Sequence, residues 1–279
     1  MATTRSDGRK SSEVRELRAS LGQLDRADGS AQFGFGGTAA LASVAGPIEA
    51  GLREELPDKA TLKILHRPLE GVGATPSKAL VNTLQAVFPP LLHLGQHPRS
   101  LIQLVIQSLS PDPSTKTVSP TTSQTSWPPE SFPATSSSAP LSGSFFSARA
   151  AALNAASLAF LDSASVGMRA VPIAVALAHL PQGTVVDPTM EEEEGAVSRH
   201  VFGWAFGAGI STESRGEMEV DEEVESELVW AESEGQFSQS EYETALSASR
   251  RAALDILQFY RTTLGEHLAL KLKLRVDKQ

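Results

Sequence analysis

Carboxylates are the most prominent residues in this chain whose type and spacing could support chemistry. Asp187 follows a short apolar run and precedes four consecutive glutamates, Glu191 to Glu194. Carboxylate clusters suit hard cations such as Mg²⁺. A run of like charges is, however, more typical of a solvated loop. The residues alone therefore leave two interpretations open, a divalent-metal site and a charged surface loop.

Other constellations that carry chemistry are excluded by their local sequence. His93 and His97 are four residues apart, but Gly95 and Pro98 break any helix that would bring both imidazoles to one metal. The glycines within residues 34–37 lack the full dinucleotide-binding pattern and a following helix, so they indicate a turn. No serine is placed beside a histidine and an aspartate in a way that suggests a nucleophilic triad.

Net charge is distributed unevenly along the 279 residues. The total is −9, but residues 187–234 hold 15 acidic and 2 basic residues, a balance of −13, which leaves +4 for the rest. The remainder can therefore present a positive face to nucleic-acid phosphates. Cysteine is absent, which excludes disulfides and thiolate metal sites. No apolar run is long enough to span a bilayer, and the first ten residues are polar, so we expect a soluble intracellular protein.

The element expected to organise the chain is a hairpin within residues 28–51. Alternation over Ser30–Gly36 predicts one strand, and the small apolar residues of Thr38–Ala45 predict a second. Gly34, Gly36 and Gly37 mark the turn between them. Gly46-Pro47 is expected to end the second strand.

Periodicity predicts the remaining elements. Apolar residues at helical spacing predict a helix over Glu13–Leu24. Thr75-Pro76 is typical of a helix start, and Pro89-Pro90 is expected to disrupt that helix. The final helix is expected to start at a capping box over Ser240–Glu243, and Leu268–Val276 fits either a strand or an extension of that helix. A further helix is predicted at Ser147–Ala164, and strands at Ala60–Leu65, Leu101–Leu109, Val171–Leu180, Gly183–Val186, Val201–Phe206 and Glu227–Ala231.

Composition divides the chain into a body and variable segments. Residues 1–12 are predicted to be a flexible tail, residues 110–144 a disordered Ser/Thr/Pro-rich insertion, and residues 211–227 an acidic loop. Residues 265–279 are a C-terminal extension. Strands accompanied by helices occur before and after the insertion, which predicts a duplicated α+β unit folded as one body over residues 13–264.

The hairpin also resembles a known family. Asp28-Gly29-Ser30, the Gly37-Thr38 step and the Gly46–Glu49 ending are similar to the opening hairpin of RNase PH-type domains, and especially to ring subunits of the eukaryotic RNA exosome. The resemblance implies the RNase PH fold, which is related to domain 2 of ribosomal protein S5. It also implies an extended lead-in with a short strand before the hairpin, in place of the helix that periodicity predicts over Glu13–Leu24.

The resemblance further implies roles for individual residues. Active relatives carry Gly-Thr-Arg at the N-terminus of the alanine-rich helix, where they hold inorganic phosphate; this chain has Ser147-Ala148-Arg149. Arg149 is therefore a candidate phosphate or RNA contact, or simply a solvated charge. Asp187 and Glu193 match the family's two metal-binding carboxylates and are vestigial candidates. Arg99 matches an arginine near substrate phosphate, and Arg67 lies in a comparable position with weaker correspondence.

A retained scaffold hairpin beside an altered phosphate motif predicts a non-catalytic ring subunit of the exosome, which supports 3′-to-5′ RNA processing, including rRNA processing, by forming part of the RNA channel. The implied partners are other RNase PH-like ring subunits, cap subunits with S1 or KH modules, and RNA, with no membrane, cofactor or functional metal. The implied locations are nucleus, nucleolus and cytoplasm. The alternatives are an active phosphate-dependent 3′-to-5′ exoribonuclease and a nucleic-acid-binding protein outside any ring.

Overall fold

The computed structural model describes residues 5, 7–69, 73, 75–110, 145–207 and 225–276. Within these ranges nine strands form two sheets, in the orders β1-β2-β3-β5-β4 and β7-β6-β8-β9. Neighbouring strands are antiparallel except β4 and β5, which are parallel. The strands are β1 Leu17–Leu21, β2 Gly29–Phe35, β3 Thr38–Glu49, β4 Thr61–Arg67, β5 Ser100–Ser108, β6 Val171–Leu180, β7 Gly183–Val186, β8 Ser198–Phe206 and β9 Ser226–Gly235. The α-helices are α1 Thr75–Leu91, α2 Phe146–Ser163, α3 Met190–Glu194 and α4 Gln239–Val276.

The predicted hairpin is confirmed as β2 and β3, which pair from Gly29↔Val44 to Phe35↔Thr38. Gly36 has a φ of 55° in the turn, a conformation that glycine adopts without a Cβ clash. The expectation that Gly46-Pro47 ends β3 is wrong. The strand continues to Glu49 because its pairing with β5 resumes at Ile48 after a register shift.

Helix α2 lies between the two sheets and is buried over most of its length. It packs on β2 and β3 of the first sheet and on β6 of the second. Its alanines allow this close approach, and a Cβ on Gly29 would lie only 2.4 Å from the Ala159 carbonyl oxygen. The Asn154 side chain both donates to the Ala174 carbonyl (2.9 Å) and accepts from the Ala174 N–H (2.8 Å), which fixes α2 against β6. Two sheets around a shared helix agree with the predicted α+β class.

Tertiary contacts override two of the predictions made from local sequence. Residues 17–21 form strand β1 rather than a helix, because they pair with β2 along its whole length, as the family resemblance implies. Helix α1 continues through Pro89-Pro90 to Leu91. Phe88 and Leu91 are buried, and the Leu92 N–H donates to the Phe88 carbonyl, so packing maintains the last turn despite the prolines.

Helix α4 shows which of the two predicted structures, a strand or a helix extension, the residues Leu268–Val276 adopt. Helix α4 is continuous over 38 residues to Val276, so Leu268–Val276 extends the helix. The capping box predicted at Ser240–Glu243 lies two residues too late. Ser238 and Glu241 form it instead, with the Glu241 N–H donating to Ser238 Oγ (3.3 Å) and the Ser238 N–H to Glu241 Oε2 (2.7 Å).

Most of the two predicted variable segments lies outside the described residues. This applies to residues 111–144 of the Ser/Thr/Pro-rich insertion and to residues 211–224 of the acidic loop; Ser226 and Glu227, at the end of that predicted loop, begin β9 instead. Among the described helices, none combines the length and the apolar character needed to cross a bilayer.

Candidate functional site

The candidate site lies where the β7–α3 connection meets the N-terminus of α2. Residues 190–194 form a short helix rather than a solvated loop. Thr189 caps this helix, since its Oγ1 accepts from the Glu192 N–H (3.3 Å) and its N–H donates to Glu192 Oε2 (2.8 Å). The cap sets the direction of α3 and turns Glu193 inward, where it is only 2% exposed.

Glu193 occupies the anion position at the start of α2. Its carboxylate accepts the N–H groups of Phe146 (3.0 Å) and Ser147 (2.8 Å). Free N–H groups and the helix dipole favour a negative charge at such a position. Burial raises the pKa of Glu193 to about 7, and this outweighs the lowering by the two N–H bonds and by Arg199 and Arg15. The chain thus places its own carboxylate where the resemblance implies inorganic phosphate.

Asp187, the other candidate carboxylate, faces arginines. It is 1% exposed and has a φ of 48°. Its carboxylate accepts from Arg15 Nε (2.8 Å), Arg15 Nη2 (2.6 Å) and the Arg15 backbone N–H (2.8 Å), and Arg9 Nη1 lies 3.8 Å away. This is a buried ion pair whose positive partners, Arg9 and Arg15, belong to the N-terminal segment.

The predicted flexible tail is consequently held in place over its described residues, 5 and 7–12. Arg5 is buried and donates to Glu192 and to the carbonyl oxygens of Val186 and Asp187. The Val186 N–H donates to the Ser11 carbonyl (2.8 Å). The described part of the predicted tail thus packs against the β7–α3 connection, where its arginines supply the positive charge that a buried Asp187 requires.

The two carboxylates bond different groups, although both lie near the start of α2. Arg15 lies between them, since it pairs with Asp187 and also donates to Ser147 Oγ and Thr38 Oγ1. Within the part of the chain that the structure describes, no group of three or more histidine, aspartate or glutamate side chains is arranged to hold a metal ion. The positive charge of Arg15, which is bonded to Asp187 and acts on Glu193, disfavours a divalent metal between these two carboxylates.

Arg149 is neither a solvated charge nor a free phosphate ligand. Its guanidinium forms two hydrogen bonds with the Glu232 carboxylate (2.7 and 2.6 Å) and a third with Thr83 Oγ1 (3.1 Å). It also stacks near the rings of Phe146 and Trp230, at 5.5 and 5.3 Å. The side chain is 4% exposed and lines a small pocket with Ser147 and Glu193. Glu232, on β9, thus neutralises the one arginine retained from the family's phosphate motif.

Arg67 and Arg99 lie at opposite ends of the first sheet. Arg67 is exposed at the end of β4, next to His66 and Pro68, which line the Arg149 pocket. Arg99 precedes β5 with a φ of 60°, and its side chain is 71% exposed and 3.4 Å from Glu55. At about 3.3 Å per residue, the length of β5 separates Arg99 from the pocket by roughly 30 Å. One phosphate therefore cannot contact both Arg99 and Arg149.

Sequence reasoning missed the residues that neutralise the site: Arg5, Arg9, Arg15 and Glu232. Arg15 and Asp187 are 172 residues apart in sequence, and Arg149 and Glu232 are 83 apart. No local pattern links such pairs. The available signal was physical: an aspartate that follows a buried strand must find positive charge or hydrogen-bond donors nearby.

The chain is similar to known proteins in both sequence and fold. Residues 13–165 match the family described as "3′ exoribonuclease family, domain 1". The chain is 31% identical over 196 residues to the "Exosome complex component RRP46" of Saccharomyces cerevisiae, covering 69% of this chain and 75% of the relative. It is 24% identical over 264 residues to the "Exosome complex exonuclease RRP46 homolog" of Oryza sativa, covering 95% and 97%.

Solved structures show the same fold. The crystal structure of rice Rrp46 superposes with a TM-score of 0.67 at 22% identity, covering 94% of this chain and 100% of that one. A chain of the archaeal exosome core gives 0.59 at 14% identity, covering 92% and 91%. The expected RNase PH fold is confirmed.

Proposed function

The chain belongs to the 3′ exoribonuclease family of RNase PH type, and from this premise we propose that it is a non-catalytic structural subunit of the RNA exosome ring. In this role it supports 3′-to-5′ RNA processing and degradation, including rRNA processing, by forming part of the channel through which RNA passes. The similarity to RRP46 exosome components of yeast and rice supports the assignment to the ring.

The observation that carries the non-catalytic role is the Glu193 carboxylate at the N-terminus of α2. Phosphorolysis requires inorganic phosphate to bind where its oxygen can attack the terminal RNA linkage. Here the two N–H groups that would bind phosphate already bond the Glu193 carboxyl group, which occupies the position that a phosphate oxygen would take. Arg149, which would assist, is bonded to Glu232. Both phosphate-binding elements therefore already bond other groups of the same chain.

An active phosphate-dependent exoribonuclease is the second candidate. The rice relative, which aligns over 95% of this chain, is named an exonuclease. In that case Arg149, Asp187 and Glu193 would have to leave their present partners to bind phosphate and a divalent ion. Breaking two buried ion pairs makes this rearrangement costly.

The proposed RNA contacts are Arg99 and Arg67, both exposed. Exposed guanidinium groups bind phosphates without reading bases, which suits a channel that must pass any sequence. The proposed partners are other RNase PH-like ring subunits, cap subunits with S1 or KH modules, and RNA, and the proposed locations are nucleus, nucleolus and cytoplasm.

Co-expression with RNase PH-like ring neighbours tests the proposal. We expect a stable ring by native mass measurement, and a chain that stays monomeric in their presence would contradict the ring assignment. Within that ring, Arg99→Glu should weaken RNA protection. Arg18→Glu is the matched control, because the Arg18 side chain is similarly exposed (68% against 71%) and is also paired with a glutamate, but lies on β1, an edge strand that β2 and β3 separate from β5. Equal protection in the two variants would remove Arg99 from the RNA path.

A further inference from the structure

Two histidines of the second sheet lie next to the first turn of α4. His200, on β8, is 1% exposed, whereas the side chain of His179, on β6, is 21% exposed. His179 Nε2 lies 3.2 Å from Glu241 Oε1, and this contact joins the first turn of α4 to β6. We call His179, His200 and Glu241 the α4 latch.

The imidazole of His200 is bonded to neutral hydroxyl groups. Its Nδ1 lies 2.8 Å from Ser233 Oγ, and its Nε2 lies 3.2 Å from Ser198 Oγ. A hydroxyl can donate or accept, so a neutral imidazole and a protonated one both keep these two bonds. Among the described residues, however, no carboxylate is bonded to either ring nitrogen of His200. A proton on His200 would therefore leave a buried positive charge without a bonded counter-charge.

Aromatic rings at the start of α4 cover His200. The ring of Phe237, two residues before the helix, has its centroid 4.9 Å from that of the imidazole, and the ring of Tyr242 lies at 6.0 Å. Both meet the imidazole edge to face, and a ring face attracts a cation weakly compared with the cost of burying an unpaired charge. Phe237 is itself 42% exposed, so it is the part of the cover nearest to solvent.

Charged groups act on His200 from both of the elements that carry the rest of the latch. Burial is the main cause that lowers the pKa of His200 below its usual 6.5, and the positive charge of His179 lowers it further. Glu241 raises this pKa but does not offset burial. On β9, Glu232 and Glu234 lie on the opposite side of the sheet from His200, where they pair with arginines. His200 is therefore neutral at neutral pH.

We propose that the α4 latch is an acid-sensitive switch, which holds the first turn of α4 and Phe237 on the second sheet at neutral pH and releases them in mild acid. Release exposes His200 to water, which solvates its positive charge. Phe237 and Tyr242 move together because both belong to the segment that starts α4. The rest of the helix stays in place, because Trp204 Nε1 donates to Ser249 Oγ (2.9 Å) further along α4. The inference goes beyond the proposed function and does not depend on it.

The protonation of His200 in the two states gives the direction and the size of the effect. In the released state the imidazole is solvated and has the usual pKa of 6.5, whereas in the closed state its pKa is lower. The closed state is therefore fully favoured above about pH 6.5. It loses stability as the pH falls towards the lowered pKa, by up to about tenfold in the ratio of closed to released protein for each pH unit.

Hydrogen exchange of the full-length chain, measured by mass spectrometry at about pH 7.5 and about pH 5.5, tests the switch. The informative amides are those of residues 242–246, which depend on the first turn; the Tyr242 N–H, for example, donates to the Ser238 carbonyl (3.1 Å). After correction for the intrinsic pH dependence of exchange, their protection should fall about five- to tenfold at the lower pH in the unmodified protein. It should fall less than about twofold in His200→Gln, whose side-chain amide also donates and accepts but does not titrate.

His97→Gln is the matched control, because it removes a histidine that lies before β5 and outside the latch. This variant should keep the full loss of protection at the lower pH. The amides of residues 250–258, further along α4, should keep their protection in all three proteins.

Three exchange results would overturn the proposal. The first is no loss of protection in the unmodified protein, and the second is an equal loss in the unmodified protein and in His200→Gln. The third is a loss of the same size along the whole of α4, which would indicate general acid unfolding. An NMR titration of the His200 imidazole tests the same point without a variant. Its midpoint should lie below the usual 6.5, and a midpoint at or above that value would also overturn the switch.

Discussion

Asp187 and Glu193 are six residues apart and almost fully buried, yet their carboxylates are neutralised in different ways. Asp187 is bonded to the guanidinium of Arg15, with Arg9 nearby, so full positive charges from the N-terminal segment balance it. Glu193 is bonded to two backbone N–H groups of α2, so the partial charges of a helix end balance it. Two acidic residues from one short stretch of sequence therefore have different structural roles. Asp187 holds the N-terminal segment, and Glu193 bonds the N-terminus of α2.

The largest effect should come from removing the charge of Asp187. Asparagine has nearly the same shape and tolerates a positive φ, so Asp187→Asn removes the charge alone. The Arg15 guanidinium, only 12% exposed, then lacks its counter-charge. We expect the free energy of unfolding, from urea denaturation, to fall by about 3 kcal/mol or more.

A double-mutant cycle checks the source of that loss. In an Arg15→Met background, Asp187→Asn should cost much less, because the buried positive charge is already gone. If the losses of stability from Asp187→Asn and Arg15→Met simply add, the Arg15 contact does not stabilise Asp187. The proposed difference between Asp187 and Glu193 would then be wrong.

The second prediction concerns the pH dependence that Glu193 imposes. Its pKa is about 7 in the folded protein, against a usual 4.5. Between these values the folded protein retains a proton that the unfolded chain releases, so stability falls as pH rises from about 4.5 to 7, by up to roughly 3 kcal/mol. Glu193→Gln has no proton to lose there and should lack this fall.

Urea denaturation at several pH values measures this difference. Glu191→Gln is the matched control, since Glu191 is exposed on the same short helix, and it should keep the pH dependence of the unmodified protein. Parallel profiles for Glu193→Gln and the unmodified protein would contradict the account of Glu193.

A third carboxylate, that of Asp162, can be compared with those of Asp187 and Glu193 because it lies near the other end of α2. Burial alone would raise the pKa of Asp162, but the bonds from Lys271 and the Ser30 N–H outweigh burial and hold it below its usual range. The contribution of Asp162 to stability is therefore present at neutral pH and is lost as pH falls through the folded-state pKa. Lys271 is half exposed, so Asp162→Asn should cost only about 1 kcal/mol at pH 7.

Hydrogen exchange locates the effect of that variant. The amides of residues 267–273 should exchange faster in Asp162→Asn, while those of the α2 core remain unchanged. Faster exchange spread through α2 would mean that Asp162 stabilises the core rather than the outer half of α4.

The smallest effect should follow from Arg99→Glu. The Arg99 side chain is 71% exposed and its contact with Glu55 is 3.4 Å long, so thermal or urea unfolding should change by less than about 0.5 kcal/mol. A larger loss would show that Arg99 stabilises the fold, and the variant would then be unsuitable for testing RNA contact.

Sequence alone predicted the elements whose signals are local. The hairpin β2–β3 could be predicted from alternation and glycine placement, and α2 from its alanines and its length. The pattern over Glu13–Leu24 failed as a predictor because pairing with β2 decides the conformation of Leu17–Leu21. Likewise, Pro89-Pro90 did not end α1 because the packing of Phe88 and Leu91 compensates for the prolines.

The candidate site could be predicted only in part. Family resemblance drew attention to Arg149, Asp187 and Glu193, and the structure places all three near the start of α2. Their bonding partners could not be predicted, because Arg15 and Glu232 approach only after the sheets assemble around α2. Arg99 was predicted to belong with these candidates, but the length of β5 separates it from them.

Orthophosphate-dependent release of nucleoside diphosphates from a labelled RNA, measured with the purified chain and Mg²⁺, tests most directly the claim that Glu193 fills the phosphate position. The account predicts no release above that of the same reaction without the protein. Robust release that requires orthophosphate would contradict it.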